Sequence, residues 1–360
     1  MNWSWFLAFA GFAALIVFHE LGHFTAAKAV GMRAERFSLF FPPYLARKRV
    51  GETEYCVGLI PLGGFVKITG MNPEEELPPD IAPRGYYHQP VWKRIVVIAA
   101  GPAVNLVIAF LILFVLAFDF AEGEPRVAEI SKGSAAAESL QLGDRIISAD
   151  GVRSDDTAVL ARQISSHRCE GRARPGCRAE TPVVLVIERD GRPVTVRVRP
   201  RFDPDPDVRR TVVGFQWERR PLNPSVPEAA RLSLDLMWDV TSGTVETIAQ
   251  IFNPDRRDEI SGVVGSYETT RQAFEFDLRR AFAVLGLISL SLAVINLFPF
   301  LPLDGGHIFW SIVEKVRGRP VPYRIMEQSG ILGFVLVLFL AFVGLTNDID
   351  RLQNDGFRQP

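Results

Sequence analysis

The chain has 360 residues, 48% of them hydrophobic with 26 phenylalanines, and a formal net charge of −1. That near-neutral balance excludes the global basic field expected of a nucleic-acid-binding protein. The apolar residues are gathered into long runs, which excludes a chain made only of two or three ordinary soluble domains.

Three runs, Trp3 to Ala29, Ile95 to Phe118 and Ala281 to Leu303, approach or exceed the roughly 17 to 25 residues needed to cross a bilayer. A fourth, Gly330 to Leu345, is slightly short and can be extended by Ser329 and Thr346. Four transmembrane helices are therefore predicted. The first run has no Lys or Arg ahead of its apolar stretch and no small-residue cleavage site after it, so it reads as a retained helix and not a secretory signal. Between the first two runs lie Arg33, Arg36, Arg47, Lys48, Arg49, Lys67, Arg84, Lys93 and Arg94, and between the last two Lys315, Arg317, Arg319 and Arg324. Lys and Arg near helix ends resist translocation, which predicts both loops in the cytoplasm and both termini, with the segment from Asp119 to Arg280, on the other side.

The strongest chemical signal is His19-Glu20-Leu21-Gly22-His23 in the first run. Residues four apart share a helix face, so the two imidazoles can bind one zinc while Glu20 reaches a water as general base. A carboxylate at mid-membrane costs at least about 2.5 kcal/mol, which marks Glu20 as functional. A catalytic zinc takes three protein ligands, and Phe24-Thr-Ala-Ala-Lys28-Ala-Val-Gly31 supplies none. The third run offers Asn296-Leu-Phe-Pro299-Phe-Leu-Pro302-Leu-Asp304-Gly305-Gly306-His307, in which Asp304 and His307 are both suitable and spacing alone does not choose. Pro299 and Pro302 break the helix, as buried or cavity-lining backbone in membranes permits, and Gly305 and Gly306 allow close approach of another backbone.

The middle of the chain reads as a small β domain. Arg126 to Ile130 is strand-like, Thr157 to Ser165 has helical period, and Val183 to Arg189 and Val194 to Val198 alternate around Asp190-Gly191, a hairpin signal. With "KGSAAAESLQLGDRIISADGV" this order resembles a PDZ domain of the bacterial protease-associated kind, whose groove takes peptides by strand addition; a ligand-free spacer is the alternative. Asp203-Pro-Asp-Pro-Asp-Val-Arg-Arg is an expected linker and Thr211 to Glu218 one more strand. Pro227 to Phe252 has helical period but is interrupted by Asp235, Asp239 and Gly243, so it is expected on the membrane surface or against a neighbouring domain. Cys169 and Cys177 lie in a compartment where disulfides persist, and the short loop between them, with Gly171, Pro175 and Gly176, can close; a bridge is predicted, with two free thiols as the alternative, and Cys56 is expected to stay reduced.

The motifs "HELGH", "GPAVN" at Gly101 to Asn105 and "NLFPFLPLDGGH" together resemble the site-2 protease family of intramembrane metalloproteases, close to its bacterial regulator-of-sigma-factor branch, over nearly the whole chain. The resemblance implies one Zn2+ ion held by His19, His23 and Asp304, Glu20 activating water, Asn296 holding substrate or the oxyanion, and His307 in a supporting role. It also implies that Gly58 to Ile68 forms a β element dipping into the membrane beside the zinc, with Gly63, Gly64, Phe65, Asn105 and Pro299 as substrate-binding candidates. The chain departs from the family pattern at Phe40-Phe41-Pro42-Pro43, where a glycine-rich stretch is usual, at Val263 of Ser261 to Gly265, where proline is usual, and in having room for one PDZ domain.

The expected fold is a polytopic α-helical membrane protein with four transmembrane helices, a membrane-dipping β loop and one inserted extracytoplasmic PDZ-like β domain. Its expected parts are residues 1–118 with the first two helices, 119–203 with the PDZ-like domain, 204–280 with linker and amphipathic helix, 281–346 with the last two helices, and a tail at 347–360. The expected function is cleavage of transmembrane segments of single-pass proteins already shortened by another protease, such as anti-sigma factors or signal-peptide remnants, in a bacterial inner membrane. Expected partners are that substrate, a peptide C-terminus at the PDZ-like domain and the lipid bilayer, with no nucleic acid. The rival is a non-catalytic PDZ-bearing membrane adaptor whose zinc is structural, in a closed site with His307 as fourth ligand.

Overall fold

The structure is a computed structural model, and it describes residues 3–72, 74–169, 177–203, 211–250 and 262–354. The expected linker Asp203 to Arg210, the loop glycines and proline at 171, 175 and 176, and Ile251, Phe252 and Ser261 lie, but for Asp203, outside the described residues. In chain order the elements are α1 (Ser4–Ala29), β1 (Ala34–Val50), β2 (Thr53–Ile68), α2 (Val91–Ala117), β3 (Ala121–Ile130), β4 (Arg145–Ala149), β5 (Val152–Arg153) and α3 (Thr157–Ser165). They continue with β6 (Val183–Arg189), β7 (Arg192–Val198), β8 (Arg201–Phe202), β9 (Thr211–Val212), β10 (Phe215–Pro221), α4 (Val226–Ala249) and α5 (Val263–Phe276). The last three are α6 (Leu278–Asn296), α7 (Asp304–Arg317) and α8 (Tyr323–Asn354). The chain divides into a helical unit, Met1–Ala117 with Val226–Phe357, and a β-rich unit, Phe118–Ser225.

In the helical unit, among the described residues, four helices are long and apolar enough to span a membrane: Ser4–Ala29, Val91–Ala117, Leu278–Asn296 and Arg324–Asp350. Their outward faces carry exposed Trp5, Phe6, Val107, Leu111, Phe334 and Phe342, a surface suited to lipid. α1 and α2 cross at contact distance because Gly22 faces the Ala100 carbonyl, where a Cβ would sit 2.5 Å from the oxygen. The α6 helix stops at Asn296, before Pro299 and Pro302. α4 joins this unit by laying Met237 and Val240 against Ala109, Leu290 and Val294, while Leu234 and Trp238 stay exposed.

No helix at 263–276 was expected. The reason it forms is tertiary: Asp348 of α8, fully buried, accepts from Gly262 N (3.0 Å) and Gly265 N (2.8 Å), capping α5 from 83 to 86 residues away.

The β1–β2 hairpin folds over on itself. Residues 34–39 pair with 64–68 on one side and, from Arg36 on, with 54–57 on the other, and 44–50 pair back along 53–58. The spatial order is 44–50, 53–58, 34–39, 64–68, so 64–68 is an edge. Phe40, at φ 69, takes at this bend the left-handed backbone that glycine favours.

The β-rich unit has a sheet of order β10-β3-β4-β6-β7, with β5 on β4. Val127, Ile146, Val183, Leu185 and Ile187 from the sheet meet Leu160 and Ile164 from α3. α3 starts where the Asp156 carboxylate accepts from Ala158 N (2.7 Å), and the β6–β7 turn has Asp190 and Gly191 at φ 51 and 74, as its sequence requires. The Thr211 to Glu218 segment forms two strands instead of one, broken before Gly214 at φ 85, and β10 pairs with β3, so this sheet takes in residues beyond the expected domain boundary at 203. Buried Asp144 receives both Nε (2.8 Å) and Nη2 (2.7 Å) of Arg189. Burial pushes the Asp144 carboxyl up, and the Arg189 and Gln141 hydrogen bonds outweigh it and hold it below its ordinary value. Cys169 and Cys177 form a disulfide, and Cys56 is free and buried.

Candidate metal centre

His19 and His23 leave the same face of α1, and each is 7% exposed. His23 Nδ1–H donates to the Val97 carbonyl of α2 (2.9 Å), which fixes its tautomer and leaves Nε2 as a bare acceptor. That Nε2 lies 3.2 Å from His19 Nε2. Asp304 Oδ2 lies 3.2 Å from His19 Nε2 and 3.3 Å from His23 Nε2. Three electron-pair donors facing one point repel each other unless a proton or a metal cation lies among them. A tetrahedral zinc with ligands at roughly 2.0–2.1 Å spaces its ligands by about 3.3 Å, so this triangle has the edge lengths of one tetrahedral face and the residues fit the ion.

Asp304 reaches the histidines because the chain turns back between α6 and α7. A Cβ on Gly305 would stand 2.1 Å from the Leu297 carbonyl oxygen, and one on Gly306 2.4 Å from Leu301 N. The prolines stop α6, the glycines admit the break against the first turn of α7, and Asp304 heads that turn. His307 stands outside the group: among the described residues only His19, His23 and Asp304 bring ligand atoms together. His307, which the closed four-ligand site of the adaptor rival would need, is not one of them.

Glu20 is half-buried, within electrostatic reach of His23, His19 and Asp304, and accepts a hydrogen bond from the Val66 backbone of the edge segment. Gly64 of the same segment packs so closely that a Cβ there would lie 2.9 Å from Glu20 Cγ. Gly63 faces the Phe41 ring, and Phe65 stacks on it at 6.0 Å. Pro299 is exposed in the break before α7.

Two residues sit differently from expectation. Asn105 is fully buried, with its Nδ2 3.3 Å from His19 Nδ1. A metal-binding His19 Nε2 would put the proton on Nδ1, and the Asn105 amide would then turn over so that Oδ1, which among the described residues has no hydrogen-bond partner, accepts it. Asn296, at the end of α6, donates Nδ2 to the Leu292 carbonyl (3.0 Å) of its own helix and is not joined to the triangle by a hydrogen bond. Sequence reasoning missed the Val97 carbonyl, for which a backbone atom gives no signal. It also missed Gly101, where a Cβ would fall 2.2 Å from His23 Nε2, although the GPAVN motif that contains it was in view.

A ligand triangle with an adjacent carboxylate on apolar spanning helices defines a membrane-embedded metalloprotease site. The sequence matches Peptidase family M50 over residues 7–340, and the chain belongs to this family of site-2 proteases, which is zinc-dependent. It is 28% identical to the metalloprotease MmpA of Caulobacter vibrioides over 390 positions, covering 94% of this chain and 93% of that one. It is 24% identical to the regulator of sigma-W protease RasP of Bacillus subtilis over 421 positions, with 95% and 97% covered. A protein of Nostoc sp. whose name describes a zinc metalloprotease is 29% identical over 359 positions, with 96% and 95% covered.

Proposed function

We propose that the protein hydrolyses a peptide bond in or beside the transmembrane segment of a single-pass membrane protein, with His19, His23 and Asp304 holding zinc and Glu20 as general base. The observation that carries this reading is the donor triangle of 3.2 to 3.3 Å with Glu20 next to it in sequence and in space. When bound, zinc supplies a Lewis acid for the scissile carbonyl and lowers the pKa of water. Glu20 takes the proton of the attacking water and passes it to the leaving amine. His23 is oriented by the Val97 carbonyl, and His19 by the Asn105 amide once that amide turns its oxygen toward Nδ1. Asn296 contacts the oxyanion or substrate backbone after releasing the Leu292 carbonyl.

A transmembrane substrate arrives as a helix with its peptide bonds shielded. The 64–68 edge beside Glu20 pairs with 34–39 alone among the described residues, and in this reading it captures the unwound segment as an added strand. Substrates are anti-sigma-factor-like proteins or signal-peptide remnants already trimmed by another protease, in keeping with the sigma-W regulator among the relatives. The membrane is a bacterial inner membrane, with the basic loops cytoplasmic and the β-rich unit on the far side. That unit acts as a PDZ-like module: β10 is an edge strand, and between it and α3 lies a cavity of about 270 Å³ lined by Ile164, Gly214, Phe215 and Trp217, which suits a peptide C-terminus.

The test is metal analysis beside cleavage of a model transmembrane substrate. Glu20→Gln is expected to keep about stoichiometric zinc and lose roughly 10²–10⁴ in rate. Asp304→Ala is expected to lose zinc and His307→Ala to keep it. Parent-like cleavage by Glu20→Gln, or zinc loss in His307→Ala with retention in Asp304→Ala, defeats the assignment.

A further inference from the structure

α2 and α7 face each other, a buried stripe on α2 against a largely half-buried one on α7. On α2 the stripe is Arg94, Val97, Gly101 and Asn105, all buried, and three of these already serve the histidines: the Val97 carbonyl, the Gly101 contact and the Asn105 amide. On α7 it is Asp304, His307, Ser311 and Glu314, spaced three, four and three residues apart along one face. The metal ligand stands at one end of the α7 stripe. At the other end Glu314 meets Arg94 in a two-pronged ion pair, Nη1 to Oε2 at 3.0 Å and Nη2 to Oε1 at 2.5 Å.

Arg94 is held on its other flank by the Tyr86 and Tyr87 rings, 5.9 and 5.3 Å from the guanidinium carbon, and its side chain is 3% exposed. Removing such a pair from water costs about as much as its attraction returns, so stability alone is a weak reason for it. Direction is a better one. A guanidinium fork engages both carboxylate oxygens in one plane and so fixes how the helix carrying the carboxylate is rotated and set along its axis. α7 needs that, because it is entered through the non-helical residues 297–303 and its start is not continuous with α6. A slip of one residue turns a helix by about 100°, and a slip of one turn moves it about 5.4 Å, either of which takes Asp304 away from His19 and His23.

We propose that Arg94 and Glu314 are a positioning pair for the third metal ligand: locked together about ten residues along α7, they set the rotation and register that bring Asp304 Oδ2 to the two imidazoles. This rests on Asp304 as a ligand. The pair touches neither metal nor substrate.

The experiment uses the full-length protein in detergent, stripped with chelator and reloaded with Co2+, whose visible absorption reports ligand geometry. Arg94→Gln, Arg94→Lys and Glu314→Gln are compared with the parent for that spectrum, kcat and KM, with Asp304→Ala as a separate arm. The expected result is an altered cobalt spectrum and a fall in kcat of about 10- to 100-fold with KM nearly unchanged, the scale of a misplacement near 1 Å. Arg94→Lys behaves like Arg94→Gln, since lysine keeps the charge and loses the fork. Parent-like spectrum and kcat in Arg94→Gln and Glu314→Gln overturn the proposal. So does a loss of thermal stability with spectrum and kcat unchanged. Should the glutamine variants fail to fold, Arg94→Lys and Glu314→Asp read the same two quantities, with change supporting and constancy overturning it. If Asp304→Ala keeps the parent spectrum, the ligand assignment itself fails. If it loses the spectrum while the Arg94 and Glu314 variants keep theirs, positioning alone fails.

Discussion

At the scale of single residues, the centre depends on side chains that are missing as much as on those present. Gly101 and Gly64 both pack on the HELGH segment, the first against His23 Nε2 and the second against Glu20 Cγ. Alanine at 101 puts a methyl where the ligand lone pair must point, so Gly101→Ala is expected to lose tight zinc binding along with activity. Alanine at 64 presses on the base and leaves the ligands alone, so Gly64→Ala is expected to keep zinc and lose turnover. Metal content measured beside kcat separates the two, and equal zinc loss in both would remove the distinction. Asn105→Ala deprives His19 of its acceptor, and a 10- to 100-fold weakening of zinc affinity is the usual size of such an effect. Titration with a competing chelator checks it.

At the scale of elements, the β1–β2 hairpin and α5 show two ways of fixing a segment from outside. The hairpin turn carries Glu52, whose carboxylate receives Arg84 Nη1 (2.7 Å) and Nη2 (2.8 Å) and Lys28 Nζ (2.8 Å), tying the turn to the end of α1. Those hydrogen bonds, from Arg84 first and then Lys28, hold the Glu52 carboxyl at about 2 against an ordinary 4.5. A lowered carboxyl pKa stabilises fully above the unfolded value and is lost as pH falls through the folded one. Hydrogen-exchange protection of the hairpin is therefore expected to hold above pH 4.5 and decline toward pH 2, and Glu52→Gln should flatten that decline. In α5 the cap comes from Asp348, and Asp348→Ala is expected to cost about 0.5–2 kcal/mol and to fray residues 262–266 first. Exchange confined to that turn is the signature, and unchanged protection there would count against the cap.

At the scale of the whole molecule, reporters fused after Arg49 and Arg319 are expected on the cytoplasmic side and one near Arg192 on the other. A cytoplasmic Arg192 overturns the topology. Thiol labelling of denatured, unreduced protein is expected to modify Cys56 alone, since Cys169 and Cys177 are bridged.

By itself the sequence determined the features that depend on local pattern. The four spanning runs follow from length and apolarity, α3 and the β6–β7 hairpin from period and the Asp190-Gly191 turn, and the pairing of His19 with His23 from helical spacing. Tertiary structure alone decided what depends on which backbones meet. Spacing left Asp304 and His307 equal, and the fold chose between them when the prolines ended α6 and Gly305 and Gly306 let the break close on α7. It also set Asn105, an expected substrate contact, against His19, paired the expected strand near 211–218 with β3 as a sheet edge, and built α5 on a carboxylate more than 80 residues away. The physical reason is that a helix or turn is held by neighbours a few positions along the chain, whereas a ligand set or a long-range cap forms only where packing brings distant segments within a few ångströms.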